Sequence, residues 1–562
     1  MNMGDHSEVS SAPITPRPMT PRQGTPPISA PITPRPMTPR LMTPPISAPP
    51  SQFHSPSLSR SPLLISIGGD QVEPAGKTPK TSKTSTPRTS RTPNFRTPII
   101  RTPRFITPLG SPIRKALRFT KLDPQDAWLP ITESRNGNIY YAAFHTLSSG
   151  IIGIQALVLP VAFTVLGWTW GTICLTAAFI WQLYTLYLLV HLHESPETGM
   201  RFSRYLQLFN ATFGEKMGNI FAIFPIMYLS GGTCVALIIM GGSTMKQFYL
   251  TVCGGAACSP NPPTTAEWYL IFTCAAVVLS QLPNLNSIAG VSLIGAITAV
   301  TYCTMIWVVS VAEGRVSGVS YNPVSSSSEI GRIFDVLNAL GIIAFAFRGH
   351  NLILEIQATM PSDEKHPSHV PMWKGVKVSY TIIALCLYPL TIGGYWTYGQ
   401  LIPSDGGVLA ALFQYHGHDT SQVILGLTSL FVIINAVSAF QIYGMPTFDD
   451  IESKYTMRKK KPCPKWLRAL IRALFGFGCY LMAVALPFVS KLTGLLGGFA
   501  LPITLAYPCF LWLKTKKPKM YSPSWLINWG LGTSGMGLSV IVIVASIYVL
   551  IDTGIHVSFF NP

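Results

Sequence analysis

Charge is what this sequence has least of. Of its 562 residues, 11% are Asp, Glu, Lys or Arg and 48% are hydrophobic, whereas a soluble chain of this length carries about one quarter charged residues. The deficit excludes most soluble enzymes and points to a polytopic membrane protein. Acids are the scarcer sign, 23 against 41 basic residues, which gives a formal charge of +18. Much of that excess lies in the first 130 residues, where Lys and Arg are scattered through Pro, Thr and Ser. This arm lacks the aromatic interleaving and folded platform of a nucleic-acid-binding domain, so no nucleic acid is expected as a partner. Its expected neighbour is the anionic inner leaflet of the bilayer.

Catalytic signatures are missing as well. The chain has no zinc-spaced HExxH, no GxSxG, no phosphate loop and no paired intramembrane carboxylates, so an enzyme is not expected, nor a cofactor or metal. It also lacks the ring-forming filter motif and the repeated charged helix of an ion channel. Met1 to Ser10 contain acids and no apolar core, so no cleavable signal peptide is expected and the first span must direct targeting. Transport is the favoured class, with a receptor or sensor as the rival.

Ten cysteines are spread widely, and Cys174, Cys274, Cys303, Cys386, Cys479 and Cys509 sit in apolar runs, where the residue acts as a small hydrophobe. Cys253 and Cys258 differ, lying in a polar loop beside Gly and Pro. They are candidates for a disulfide if that loop faces an oxidising side.

The arm opens with a repeat, "SAPITPRPMTPRQGTPPI" at 11–28 returning as "SAPITPRPMTPRLMTPPI" at 29–46. It has too many prolines for helix and too few large apolar groups to offset the entropy of ordering, so residues 1–130 are expected to form a disordered basic arm. Thr-Pro recurs at Thr15, Thr20, Thr25, Thr33, Thr38 and Thr43, and later at Thr78, Thr86, Thr92, Thr97, Thr102 and Thr107. Phosphorylation there by a proline-directed kinase would cancel the arm's charge and release it from an anionic surface. The alternative is a merely solubilising tail.

Residues 131–562 form the membrane domain. Apolar segments long enough to cross the bilayer fall at 141–166, 168–192, 217–242, 268–286, 288–312, 332–356, 375–398, 422–443, 468–489, 491–513 and 532–553, eleven in all. With the arm inside, the basic clusters "MRKKKPCPKWLR" at 457–468 and "KTKKPK" at 513–518 fall inside, as do the connections at 201–216 and 365–374. This positive-inside bias predicts a cytoplasmic amino terminus and an external carboxyl terminus.

Two spans carry residues that are costly in lipid. The first holds Gly150, Gly153, Gln155 and Pro160 in "SSGIIGIQALVLPVAF". An interrupted helix whose freed backbone groups bind the carboxylate and ammonium of a zwitterion would explain them, and so would close packing at small residues. The sixth holds "AFAFRGHNLILEIQATMP" at 344–361. Arg348 and His350 must face protein or water. Two residues apart, they are roughly 200° apart around a helix, so they share a face only if the backbone unwinds, which Gly349 between them allows. Glu355, further along, answers a basic group or marks the cytoplasmic exit of the span.

"GHNLILEIQATMPS" at 349–362 is similar to the signature of plant amino acid permeases of the lysine and histidine transporter-like group, within the amino acid/auxin permease family. "LVLPVAFTVLGW" at the end of the first span and "FQIYGMPTFDDIES" at 440–453 resemble the same family, and the similarity covers 130–562. The resemblance implies an all-α polytopic membrane protein, with eleven transmembrane helices in the inverted five-helix repeat of the amino acid permease, LeuT-like fold. It also implies import of amino acids with protons across the plasma membrane. Carried onto matching positions, it puts unwound, substrate-binding backbone at Gly153, Ile154, Gln155 and Ala156, and at Phe345, Ala346, Phe347 and Arg348. Gln155 and Arg348 depart from the family pattern; Arg348 is expected to narrow the site or to favour an anionic side chain. His350 and Glu355 match the pattern and are expected to serve coupling or as a structural clasp. For His350 the choices are a proton relay, since its unperturbed pKa lies near working pH, or a clasp between the sixth and first spans. The competing function is an amino acid sensor or transceptor signalling through the arm.

Overall fold

A computed structural model describes residues 137–552, except 151–152, 196–200, 222, 254–261, 282–288, 325–327, 363–364 and 487–488. The arm, with its repeat and Thr-Pro sites, lies outside the described residues.

The described residues are almost wholly helical; their only β-pairing is an isolated bridge between Glu194 and Arg201. In chain order the helices are α1 (Ile139–Gly150), α2 (Gly153–Leu192), α3 (Tyr205–Phe213), α4 (Glu215–Phe221), α5 (Ile223–Cys253), α6 (Thr265–Leu279), α7 (Ala289–Glu313) and α8 (Glu329–Ala344). There follow α9 (His350–Ala358), α10 (His369–Tyr398), α11 (Gly407–His416), α12 (Gln422–Lys459), α13 (Lys465–Ala485), α14 (Val489–Leu501), α15 (Tyr507–Lys516) and α16 (Pro523–Asp552). A π-helical turn, Pro502–Ala506, joins α14 to α15.

Eight of the described helices are long and apolar enough to cross a membrane. The expected spans relate to them in three ways. The first two share α2, which bends at Gly167 (φ 69°), in the left-handed region that favours glycine. The fourth is α6, only 15 residues long. The sixth is split between α8 and α9. Outward side chains are apolar, with Val278 73%, Leu385 67% and Val540 59% exposed, as lipid contact requires.

Packing repeats with an offset of five spans. The first span (α1) lies on the seventh (α10), as the sixth (α8) lies on the second (α2). Span one also lies on span five (α7), as span six lies on span ten (α14), and span five meets span eight (α12) as span ten meets span three (α5). Because each crossing reverses direction, a copy displaced by five spans is upside down, which is the inverted repeat. Glycine enables the closest of these approaches. A Cβ on Gly341 of α8 would lie 2.5 Å from the Gly494 carbonyl, and one on Gly497 would strike the Gly341 carbonyl, so the two backbones touch where any side chain would part them.

Candidate functional site

The end of α1 faces the break in the sixth span. Gly349 adopts φ 141° at the start of α9, and a Cβ there would lie 3.4 Å from Ser149 Oγ at the end of α1. A Cβ on Gly150 would lie 3.5 Å from the Arg348 carbonyl. Four helix ends thus converge, two presenting amides and two presenting carbonyls, with the partial charges that helix termini carry.

The structure places turns at Phe345–Phe347 and leaves Arg348 and Gly349 outside any helix. In the first span Gly153, Ile154, Gln155 and Ala156 are not unwound but helical, at the described start of α2. Ile154, Gln155 and Ala156 continue into a strongly apolar helix, and residues 151–152, between α1 and α2, lie outside the described residues. First-turn amides have no intrahelical partner, so the change leaves donors at the site. One is already used, because the Gly153 amide donates to Asn435 Oδ1 of α12 at 2.9 Å, while Asn435 Nδ2 donates to the Gly295 carbonyl of α7 at 2.9 Å.

Other orphaned carbonyls are capped from neighbouring helices. Tyr443 Oη donates to Ser149 O at 2.6 Å, Tyr380 Oη to Phe347 O at 2.9 Å, and Gln182 Nε2 to Ala344 O at 2.9 Å. These bonds hold open ends that a lipid-buried chain must satisfy.

Arg348 is 2% exposed. Its Nη1 donates to Thr233 Oγ1 of α5 at 3.0 Å, and the guanidinium sits 3.8 Å from the Phe345 ring centroid and 4.6 Å from that of Tyr443, so aromatic faces offset part of its desolvation. Nε and Nη2 have no hydrogen-bond partner among the described residues. Gln155, 2% exposed, belongs to the other half of the site.

His350 points away from this centre. Its Nε2 lies 2.9 Å from Thr185 Oγ1 and 3.2 Å from the Gln182 carbonyl. It therefore clasps the sixth span to the second, not to the first as the sequence suggested. With Gly349 unwound, Arg348 and His350 diverge toward α5 and α2 instead of sharing a face. Glu355, 4% exposed with Oε2 unpartnered, stands apart from the breaks, within electrostatic reach of Asp449 and Arg204.

The rest of the "GHNLILEIQATMPS" segment is tied to the segment after α2. Arg201 pairs with Glu194 at 3.0 Å and donates to the carbonyls of Gln357 and Met360. Glu194 in turn accepts from Ser362 and Ser368. A second knot joins α12 to α13, where Glu452 accepts from Arg468 at 2.9 Å and from Arg472 at 3.1 Å, and Arg472 also donates to Ser280 O. Beside the first knot, His193 is fully buried, and burial, aided by Arg201, holds its imidazole well below the usual histidine range. Cys253 ends α5, but Cys258 lies outside the described residues.

Sequence reasoning missed Asn435, Tyr443, Tyr380, Thr233, Thr185 and Gln182. Asn435 and Gln182 carried a visible signal, as lone amides in "FVIINAVSAF" and "AAFIWQLYTLYLLV", since polar groups at membrane depth are expensive and retained for a reason.

Comparison with known proteins agrees with this architecture. Residues 135–552 match the family described as transmembrane amino acid transporter protein. Lysine histidine transporter-like 8 of Arabidopsis thaliana is 52% identical over 519 residues, covering 90% of this chain and 97% of that protein. Lysine histidine transporter-like 7 of the same plant is 44% identical, covering 78% and 90%. Among solved structures, a nucleobase-cation-symport-1 family transporter in a closed conformation with bromovinylhydantoin bound aligns with TM-score 0.51 at 10% identity, over 78% of this chain and 97% of that one, a likeness of fold. The chain belongs to the transmembrane amino acid transporter family, among the lysine histidine transporter-like permeases of plants.

Proposed function

We propose that this protein imports amino acids by proton symport across the plasma membrane, through eleven spans with the amino terminus in the cytoplasm and the carboxyl terminus outside. The observation that carries the reading is the meeting of the end of α1 with the break in the sixth span, where a Cβ on Gly349 would lie 3.4 Å from Ser149 Oγ. Amides at the starts of α2 and α9 suit a carboxylate, and carbonyls at the ends of α1 and α8 suit an ammonium. The substrate contacts are Ile154, Gln155 and Ala156 on one side and Phe345, Ala346, Phe347 and Arg348 on the other. Gly153 serves through its bond to Asn435. The two unpaired donors of Arg348 favour an anionic side chain. Glu355, with a buried oxygen unpartnered, is the coupling group in preference to His350, whose Nε2 is held at the helix clasp. The arm binds the anionic leaflet and is released by proline-directed phosphorylation.

Uptake of a radiolabelled amino acid panel into proteoliposomes, with and without an inward proton gradient, tests the proposal. Saturable uptake that rises with the gradient is the expected result. Binding without gradient-responsive flux would instead identify a sensor or transceptor.

A further inference from the structure

Behind the turn of α5 that holds Arg348 lies a cavity of about 490 Å³, well inside the size range of ligand pockets. Its wall on α5 is Tyr228, Gly231, Gly232 and Val235, the i, i+3, i+4, i+7 stripe of one helix face. Ser230 and Thr233 lie off that stripe and make the bonds to the Tyr443 carbonyl and to Arg348. The opposite wall is formed by Leu474, Gly478 and Met482 of α13 and by Leu492 and Leu495 of α14. Two glycines hollow the space. A Cβ at Gly231 or Gly478 would meet nothing within 4 Å, unlike one at Gly341. These two glycines leave room and do not serve to bring helices together.

Neither water nor vacuum suits that room. The polar side chains on its wall are Tyr228 and Cys479, and the Cys479 thiol already donates to the Gly231 carbonyl at 3.8 Å. A buried water needs two to four polar partners. Left dry and empty, a hole of this size would cost as much as the whole folding stability of a domain. Hydrocarbon is the available filler. On α13, Leu474 is 60%, Phe477 53% and Met482 51% exposed, on a face that meets lipid. Leu474 and Met482 belong both to that face and to the cavity wall, so the space is continuous with the lipid-facing surface. We propose that an acyl chain of a bilayer phospholipid occupies this cavity, as a bound constituent seated against the back of the turn that carries Thr233.

Full-length protein in nanodiscs, with phosphatidylcholine bearing a photoactivatable diazirine on one acyl chain, can be irradiated, digested and mapped by mass. Adducts concentrated at 228–235 and 474–486, above the level on the outward Val540 and Val544 of α16, are the expected result. Gly478→Leu, which fills the space, should remove that excess while labelling at α16 persists. Even labelling of all outward helices by the unaltered protein would overturn the proposal whether or not the variant folds, and so would an excess that survives Gly478→Leu. The labelling requires no transport, so its outcome is independent of the amino acid reading.

Discussion

Gly153 and Asn435, 282 residues apart in sequence, are joined by a 2.9 Å bond from the backbone amide of one to the side-chain carbonyl of the other. Through the second arm of Asn435, the first turn of α2 is fixed to both α7 and α12. Replacing Asn435 by Ala leaves the buried Gly153 amide unpaired, at about 1–3 kcal/mol, while the Gly295 carbonyl keeps the bond from Thr298 Oγ1. Thermal melts of the purified protein should show that loss. Asn435→Asp, which keeps the acceptor for Gly153, should recover substrate affinity relative to Asn435→Ala in uptake assays; equal affinities for the two variants would count against a positioning role.

Arg348 offers a second test. Arg348→Ala should shift the preference among acidic, neutral and basic amino acids away from acidic ones, read as ratios of uptake from a mixed panel. Thr233→Val, which removes the Nη1 acceptor, should shift it in the same direction but by less than Arg348→Ala. An unchanged ranking in Arg348→Ala would remove the side chain from specificity.

His193 makes a pH prediction whose sign can be worked out. Its folded pKa is depressed by burial and by Arg201, so below an unfolded value of about 6.5 the unfolded chain binds more protons than the folded one. The cost is absent above that pH and grows as pH falls. His193→Gln should therefore flatten the decline in melting temperature between about pH 6.5 and 5, and parallel profiles for the two proteins would refute the assignment.

Glu452 joins two arginines at the foot of α12, and its side chain is 9% exposed, against 0% for Arg472. Glu452→Gln should destabilise the protein by about 3 kcal/mol, because breaking a buried pair strands a charge. Adding Arg468→Gln should cost less than the sum of the single changes, since both touch one carboxylate. Chemical denaturation of the three variants in detergent measures the coupling.

The sequence was most legible where physics is one-dimensional. Span positions followed from apolar length, and the break at Gly349 followed from Arg348 and His350 being two residues apart in lipid. Gly153, Ile154, Gln155 and Ala156 were expected to be unwound and are helical, because Gly153, though a helix breaker by type, is held by a partner 282 positions away. The same blindness hid Tyr443 and Tyr380. Each is an ordinary aromatic in an apolar run, and each becomes a cap only when the inverted repeat sets it opposite an open helix end. The direction of His350 likewise depended on which helix stood behind it, which no local pattern encodes.

The knot around Arg201 and Glu194 fastens the continuation of α9, the second half of the broken sixth span, to the segment that follows α2. The start of the same half, at Gly349, has no side-chain cap. That half of the span is thus moored at one end and open at the other.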